Sequence, residues 1–166
     1  MAVQGKLVPQ DPNDEPASEL VKRIRAEKER LIKEKKIRKE KNPSYIFRGA
    51  DNLPYEQIGK NEPVCIADVV PFEIPNSWEW IRLSECTYSV GNKKNQILSK
   101  LIKPDGKIPV VSQGQSLIDG YCNEEEKRIP ELPLVMFGDH TRNVKYIDFE
   151  LVIGADGTKF HKTIVL

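Results

Sequence analysis

Three short polar segments of this 166-residue chain carry side chains that can hydrogen-bond to nucleic-acid bases. Residues 92–96 read NKKNQ, residues 112–116 read SQGQS, and residues 138–145 read GDHTRNVK. Asparagine and glutamine amides can bind adenine through two hydrogen bonds, and lysine or arginine can bind guanine or phosphate. These segments predict a DNA-contacting surface made of loops. The side chains that we expect to contact DNA are Lys93, Lys94, Gln113, Gln115, Arg142 and Lys145.

Aromatic residues add one candidate to this set. Tyr121 could stack on a base or fill the core, and both interpretations stay open. Trp78 and Trp80 are predicted to be packing anchors, because large aromatic side chains bury the most apolar surface.

Two partial motifs suggest catalysis without completing it. Residues 42–45, Asn-Pro-Ser-Tyr, resemble the Asn/Asp-Pro-Pro-Tyr motif of amino methyltransferases, but Ser44 replaces the second proline and no glycine-rich cofactor loop precedes it. Residues 104–107, Pro-Asp-Gly-Lys, resemble a nuclease pattern in which Asp105 would hold Mg²⁺ and Lys107 would lie near the attacking water. The alternative for each motif is a turn. We therefore predict no catalytic residue, no metal site and no cofactor in this chain.

Cysteine usage and hydropathy indicate the compartment. The three cysteines lie far apart, without the spacing of a zinc site, which is typical of reduced thiols. No apolar run reaches 18 residues and no secretory signal is visible, so we expect a cytoplasmic protein that does not cross a membrane.

The charge is distributed unevenly along the chain. The net charge is +1, which excludes a uniformly cationic surface. Residues 16–41 hold 11 basic and 5 acidic residues, or +6, which leaves 15 basic and 20 acidic residues elsewhere, or −5. The sequence thus predicts a basic rod joined to an acidic body.

Residues 16–41 predict one long helix of coiled-coil type. Asp14 or Glu15 can cap it, Pro16 suits its first turn, and residues 17–41 contain neither glycine nor proline. A sparse apolar seam follows the helical period: Ala17, Leu20, Ile24 and Leu31. So narrow a seam cannot stabilise a lone helix in water, so we expect it to contact a partner helix that this chain lacks.

The remaining residues predict an N-terminal extension (1–15), a linker (42–73) broken by prolines and glycines, and a β-rich domain (74–166). The fold class is therefore α+β. Predicted strands cover residues 78–83, 108–111, 134–137, 144–149, 151–153 and 163–166. Because the sequence stops within an apolar run, we expect the last domain to be incomplete.

Several segments, taken in order, resemble the specificity (S) subunits of type I restriction–modification systems. Residues 5–17, Leu20 and residues 24–28 resemble the family's conserved segment and spacer helix. Residues 72–83 resemble the opening of its target recognition domain. The matching segments are residues 5–17, Leu20, 24–28, 72–83, 112–114, 119–121, 137–142 and 154–159.

This resemblance implies a non-catalytic subunit that reads one half of a split double-stranded DNA target. In that family, two recognition domains are spaced by an antiparallel coiled coil of two helices. Methylation (M) subunits supply S-adenosylmethionine chemistry, and restriction (R) subunits supply ATP- and Mg²⁺-dependent translocation and cleavage. The chain is far shorter than a two-domain subunit, so it could be a fragment or a half-subunit that associates with a second one. An alternative is a scaffold that docks M subunits through the basic helix without reading DNA.

Overall fold

The computed structural model describes residues 2–154 and 157–164. It contains one long helix and three β-sheets, so the predicted α+β class is confirmed. The chain divides into two units: residues up to Cys86 together with Ile164 form the first, and Thr87–Thr163 form the second. The division lies after the predicted boundary at residue 74. None of the described helices has the length and apolarity that a bilayer span requires.

The long helix of the first unit, α1 (Ala17–Lys33), is shorter than predicted. Pro16 occupies the N-cap without a side-chain hydrogen bond, so the predicted cap by Asp14 or Glu15 is wrong. Glu15 instead forms an ion pair with Arg23 at 2.6 Å. The helix ends before residue 41, with Lys35 in the left-handed conformation at φ 59°.

Charge repulsion and the loss of the apolar seam explain this early end. Beyond Ile32 the only apolar residue before position 42 is Ile37. A longer helix would place Lys35 and Lys39 one turn apart, where like charges repel. Helix propensity alone cannot offset this without a packed face.

The predicted linker at 42–73 is wrong, because it contains an antiparallel sheet in the order β1–β2–β3. The strands are β1 (Ser44–Arg48), β2 (Pro54–Ile58) and β3 (Val64–Cys65). Of the glycines and prolines that suggested a linker, Gly49 and Gly59 lie between the strands, whereas Pro54 begins β2. Gly49 and Asn52 form the first turn, where the Gly49 N–H donates to the Leu53 carbonyl at 2.9 Å.

The predicted strand at 78–83 is also wrong. Trp80 packs against Phe72 with a ring separation of 5.4 Å, but no strand of the described residues pairs with this segment. The Trp78 N–H donates to the Pro75 carbonyl in a turn, and the short helix α2 (Leu83–Cys86) follows. Trp80 thus packs in an irregular segment, as predicted, whereas the prediction of a packing role for Trp78 is wrong: this side chain is 36% exposed and its indole N–H donates to the Gln10 side-chain oxygen at 2.9 Å.

The second unit contains two sheets. One has the order β4–β10–β7–β8 and the other has the order β6–β5–β9, in which β5 and β9 run parallel. The strands are β4 (Thr87–Val90), β5 (Ile108–Val111), β6 (Gly120–Cys122), β7 (Leu134–Gly138), β8 (Val144–Ile147), β9 (Val152–Ile153) and β10 (Thr158–Thr163).

Four predicted strands of the second unit are confirmed within one or two residues at their ends, as β5, β7, β8 and β9. The predicted strand at 163–166 is displaced, because β10 ends at Thr163; Val165 and Leu166 lie outside the described residues. Two buried apolar clusters hold the sheets together. The larger includes Met136, Leu151 and Phe160, and the smaller includes Val110 and Val152.

Candidate nucleic-acid interface

Gln113 connects two of the three polar segments. Its backbone carbonyl accepts hydrogen bonds from the Thr141 hydroxyl at 2.6 Å and from the Asn143 amide at 2.9 Å. Its side-chain oxygen accepts from the His140 N–H at 3.2 Å. Residues 112–116 and 138–143 therefore form one surface, although more than twenty residues separate them in the sequence.

Residues 157–159, which lie outside the three polar segments, also join this surface. The Asp139 N–H donates to the Gly157 carbonyl at 2.8 Å, and the Asp139 carboxylate pairs with Lys159 at 3.4 Å. Gly157 has φ +78°, which favours glycine, and a side chain there would meet Gln113 and His140 at 3.0 Å. The loops thus approach each other too closely for a larger residue at this position.

Lys145 holds the second polar segment from beneath. Although it was predicted to contact DNA, it is 7% exposed, and its ammonium donates to the carbonyls of Ser112 at 2.6 Å and Ser116 at 2.5 Å. Burial lowers the pKa of Lys145, whereas the charge of Asp119 opposes that shift. The structure therefore places this lysine inside the unit, as a clamp across residues 112–116.

Arg142 lies at the tip of the third polar segment in the left-handed conformation, with φ 57°. Non-glycine residues adopt this conformation rarely. Its N–H donates to the Gly138 carbonyl at 2.9 Å, and the Gly138 N–H donates to the Asn143 carbonyl at 3.0 Å. The turn is closed, and the Arg142 side chain is exposed.

The first polar segment uses both of its asparagines for its own structure. The Asn92 side chain accepts from the Lys94 N–H at 2.8 Å, and the Asn95 amide donates to the Lys127 carbonyl at 3.1 Å. Lys93 and Lys94 remain exposed on this one-turn 3-10 helix. A cleft of about 240 Å³ is lined both by Lys93 and by Gly157 and Lys159, so this segment borders the others.

We call the combined ranges 92–96, 112–116, 138–143 and 157–159 the loop surface. They hold four basic side chains and one carboxylate, that of Asp139. Within the described part of the chain, Lys93, Lys94 and Arg142 form no ion pair. The loop surface is therefore locally cationic on a unit whose overall charge is nearly balanced.

Five of the seven predicted DNA-contacting residues lie on the loop surface: Lys93, Lys94, Gln113, Gln115 and Arg142. Lys145 lies beneath it. Tyr121 lies elsewhere, on β6, where its backbone forms two hydrogen bonds with Lys103. The resembling segment 154–159 contains Ala155 and Asp156, which lie outside the described residues.

The two partial catalytic motifs have structural roles. Ser44 begins β1 and its hydroxyl donates to Glu56. Lys107 pairs with Glu125 at 3.0 Å, and its N–H donates to the Cys122 carbonyl. Among residues 2–154 and 157–164, no group of three or more His, Cys, Asp or Glu side chains is placed to hold a metal ion.

The helix α1 presents two different faces. Arg25 forms a salt bridge with Glu85, donates to the Ile46 carbonyl at 3.2 Å and lies 5.1 Å from the Tyr45 ring centroid. Lys28 pairs with Glu40 at 2.5 Å on the same face. The polar face of the helix thus contacts its own unit.

The predicted partner-helix residues lie on a neighbouring face of α1. At about 100° per residue, the centre of the seam formed by Ala17, Leu20, Ile24 and Leu31 lies roughly 110° around the axis from Arg25 and roughly 50° from Lys28. No residue of α1 is buried, and Leu20 is 42% exposed. The contacts of the helix with its own unit therefore leave the apolar seam incompletely covered.

Several residues that build the loop surface carry no local sequence signal for that role. Thr141 and Asn143 lie in the third polar segment, but nothing in the sequence pairs them with Gln113. Lys159 follows a glycine-flanked turn and belongs to segment 154–159, which resembles the specificity-subunit family, but neither signal indicates that it contacts Asp139. Their roles depend on contacts between distant segments, which no local pattern reports.

The comparison with known proteins finds two curated relatives from Escherichia coli. The chain is 52% identical over 85 residues to the type I restriction enzyme EcoEI specificity subunit, and 49% identical over 84 residues to the EcoAI specificity subunit. Each match covers 51% of this chain, which spans about 11% of each relative's length. No family model matches the chain. No solved structure matches it either. The two matches confirm the resemblance to type I restriction specificity subunits over half of the chain.

Proposed function

We propose that this chain recognises DNA sequence within a type I restriction–modification complex. The loop surface would read one half of a split double-stranded target, and the chain itself would catalyse nothing. The single observation that carries this proposal is that Gln113 joins two polar segments, 112–116 and 138–143, into one surface that presents Arg142. The similarity to two type I specificity subunits supports it independently.

The chemistry of the loop surface suits this role. Exposed amide and guanidinium groups can hydrogen-bond to base edges, while exposed lysines bind phosphate and fix the register. The closed turns hold the polar segments before DNA arrives, so binding costs less conformational entropy. Lys145 and the buried strands beneath the loops supply that rigidity.

The first unit would assemble the complex. We propose that the seam of Ala17, Leu20, Ile24 and Leu31 binds a partner helix, and that M subunits, with S-adenosylmethionine, dock around it. R subunits would add ATP- and Mg²⁺-dependent cleavage in the same complex, in the cytoplasm. A second half-subunit could provide the partner helix and the other half of the DNA target.

A second candidate function is a scaffold that does not read DNA. The incompletely covered seam of α1 and the basic residues 33–41 favour it, because both offer contacts to a protein partner. This candidate predicts that substitutions on the loop surface leave the DNA preference of the complex unchanged.

The proposal is tested by selecting binders from a pool of randomised duplexes with the whole chain. We expect an enriched sequence, and an affinity for it that falls steeply with salt because phosphate contacts release counterions. A variant with Lys93→Ala and Arg142→Ala should weaken this binding by at least tenfold.

A matched control removes the same charge elsewhere. Lys107→Ala with Arg128→Ala also deletes two positive charges, but these lie outside the loop surface and are already paired with Glu125 and Glu150. The control should bind nearly as the wild type does. If the wild type enriches no sequence, or if both double variants lose affinity equally, the loop surface is not a sequence reader.

A further inference from the structure

Most polar groups in residues 138–143 are already committed to holding the loops together. The Thr141 hydroxyl and the Asn143 amide both donate to the Gln113 carbonyl, and the Asp139 carboxylate pairs with Lys159. These side chains cannot turn toward a ligand without opening the loop surface. His140 and Arg142 are the exposed residues of this turn whose side chains take no part in these contacts.

The Arg142 backbone is held in a conformation that costs energy. Its left-handed φ is maintained by the hydrogen bond from its N–H to Gly138 and by the fixed side chains on either side. Such conformations persist where the surrounding structure over-determines them, and they cluster at binding sites. Within the described residues the guanidinium itself has no hydrogen-bond or ion-pair partner.

We propose that Arg142 determines specificity by binding a guanine base in the major groove, and that Gln113, Thr141 and Asn143 are positioning residues for it. This inference rests on the proposed function. The planar guanidinium can donate two parallel hydrogen bonds to O6 and N7 of guanine, which no other base presents as a pair of acceptors. The half-target of this chain therefore contains a G·C pair at the position that Arg142 reaches.

The two kinds of contact that Arg142 could make have different signatures. A contact to guanine changes affinity at one base pair only, whereas a phosphate contact changes affinity equally for all sequences and lowers the salt dependence. Lysine keeps the charge but lacks the planar pair of donors. Comparison of Arg142→Lys with Arg142→Ala thus separates the two.

The experiment uses the whole chain in selection from randomised duplexes, followed by titration of the enriched duplex and of its single-base-pair variants. For Arg142→Ala we expect the loss of preference at one G·C position, an unchanged preference elsewhere, and about 5- to 150-fold weaker binding to the original site. Arg142→Lys should keep a weaker guanine preference at the same position, because its single ammonium lacks the planar pair of donors. Arg142→Gly, which relieves the backbone conformation, should behave as the alanine variant does.

A positioning role has its own readout. Thr141→Val removes the hydroxyl while keeping the shape, so it should weaken the guanine preference at the same position without creating a new one. Its affinity for duplexes that lack that G·C pair should stay within twofold of wild type. Urea unfolding midpoints within the error of wild type would show that each variant is folded.

Three results would overturn the inference. If Arg142→Ala enriches the same sequence as wild type, Arg142 reads no base. If the alanine variant weakens all duplexes equally and the lysine variant restores them equally, Arg142 contacts phosphate. If the wild type enriches no sequence, the proposed function fails as well, whereas the first two results leave that function in place.

Discussion

The two units differ in what stabilises them and in which surfaces they expose. Among the described residues, three buried apolar side chains lie in the first unit and thirteen in the second. The first unit depends on ion pairs, such as those of Arg25 with Glu85 and of Arg82 with Glu56. The second unit has two apolar clusters under its loops.

This difference fits the two proposed roles, in which the second unit reads DNA and the first unit binds a partner helix. A reading surface must hold side chains rigidly, and closely packed strands beneath the loops provide that rigidity. A helix that binds a partner must keep an apolar face uncovered, and the helix α1 has no buried residue. The basic residues of the sequence are concentrated in the helical region, but the proposed reader is the second unit.

The largest expected loss of stability comes from the core of the second unit. Leu151 is fully buried in the larger cluster, so Leu151→Ala should destabilise the chain by about 2–5 kcal/mol through lost burial and a cavity. Urea unfolding measures this change. A loss below about 1 kcal/mol would show that the second unit does not rely on this cluster.

A smaller loss is expected at the ion pair of the first unit. Arg25→Ala leaves the buried Glu85 carboxylate, 3% exposed, without its partner. Because Arg25 is itself partly exposed, we expect a loss of about 2–3 kcal/mol. Hydrogen exchange should show faster exchange in α1 and unchanged protection in β7.

The control for Arg25→Ala is the double variant that also carries Glu85→Ala. It removes the unpaired carboxylate and should recover part of the lost stability. If the double variant loses at least as much unfolding free energy as Arg25→Ala and Glu85→Ala lose together, the ion pair does not stabilise α1.

The pH dependence of the first unit should come in part from Glu56. The Arg82 guanidinium and the Ser44 hydroxyl donate to this carboxylate and lower its pKa to about 2 from the ordinary 4.5. Because the folded pKa lies below the unfolded one, the stabilisation is complete above pH 4.5 and is lost as pH falls toward 2.

Glu56→Gln should therefore cost about 1.5 kcal/mol at pH 7 and progressively less as the pH falls from 4.5. Thermal unfolding of both proteins at several pH values measures the difference. A difference that stays constant between pH 7 and pH 3 would contradict the assigned cause.

The smallest effect on stability is expected at Leu20, the exposed residue of the apolar seam of α1. Leu20→Glu should change the free energy of unfolding of the chain alone by no more than about 0.5 kcal/mol. The same change should abolish association with M subunits if the seam binds a partner helix, which co-purification measures. Lys22→Glu, an exposed change on the same helix, should retain association.

Strands with mostly apolar residues could be predicted from the sequence, and strands with few buried residues could not. Strands β5 and β7 were predictable because apolar residues dominate them. The strand β10 was missed because only Phe160 of its residues is buried, and the hairpin of β1 and β2 was hidden by turn residues that resemble a linker.

At the candidate site, the sequence does not reveal which side chains of β8 face the core. In β8 the alternation suggests that Val144 and Tyr146 face the core, yet they are 66% and 64% exposed, while Lys145 is buried. Pairing of Lys145 with Met136 sets this register, and local sequence cannot report it. Lys145 was therefore predicted as a surface contact, although the polar segments themselves were located from sequence.

The most direct measurement is an amide chemical-shift map of the whole chain during titration with the selected duplex. We predict that the shifts concentrate in residues 92–96, 112–116 and 138–143, with little change in α1. Shifts confined to α1 and the basic residues 33–41 would show that DNA binds the helical unit through charge alone, and would contradict the assignment of reading to the second unit.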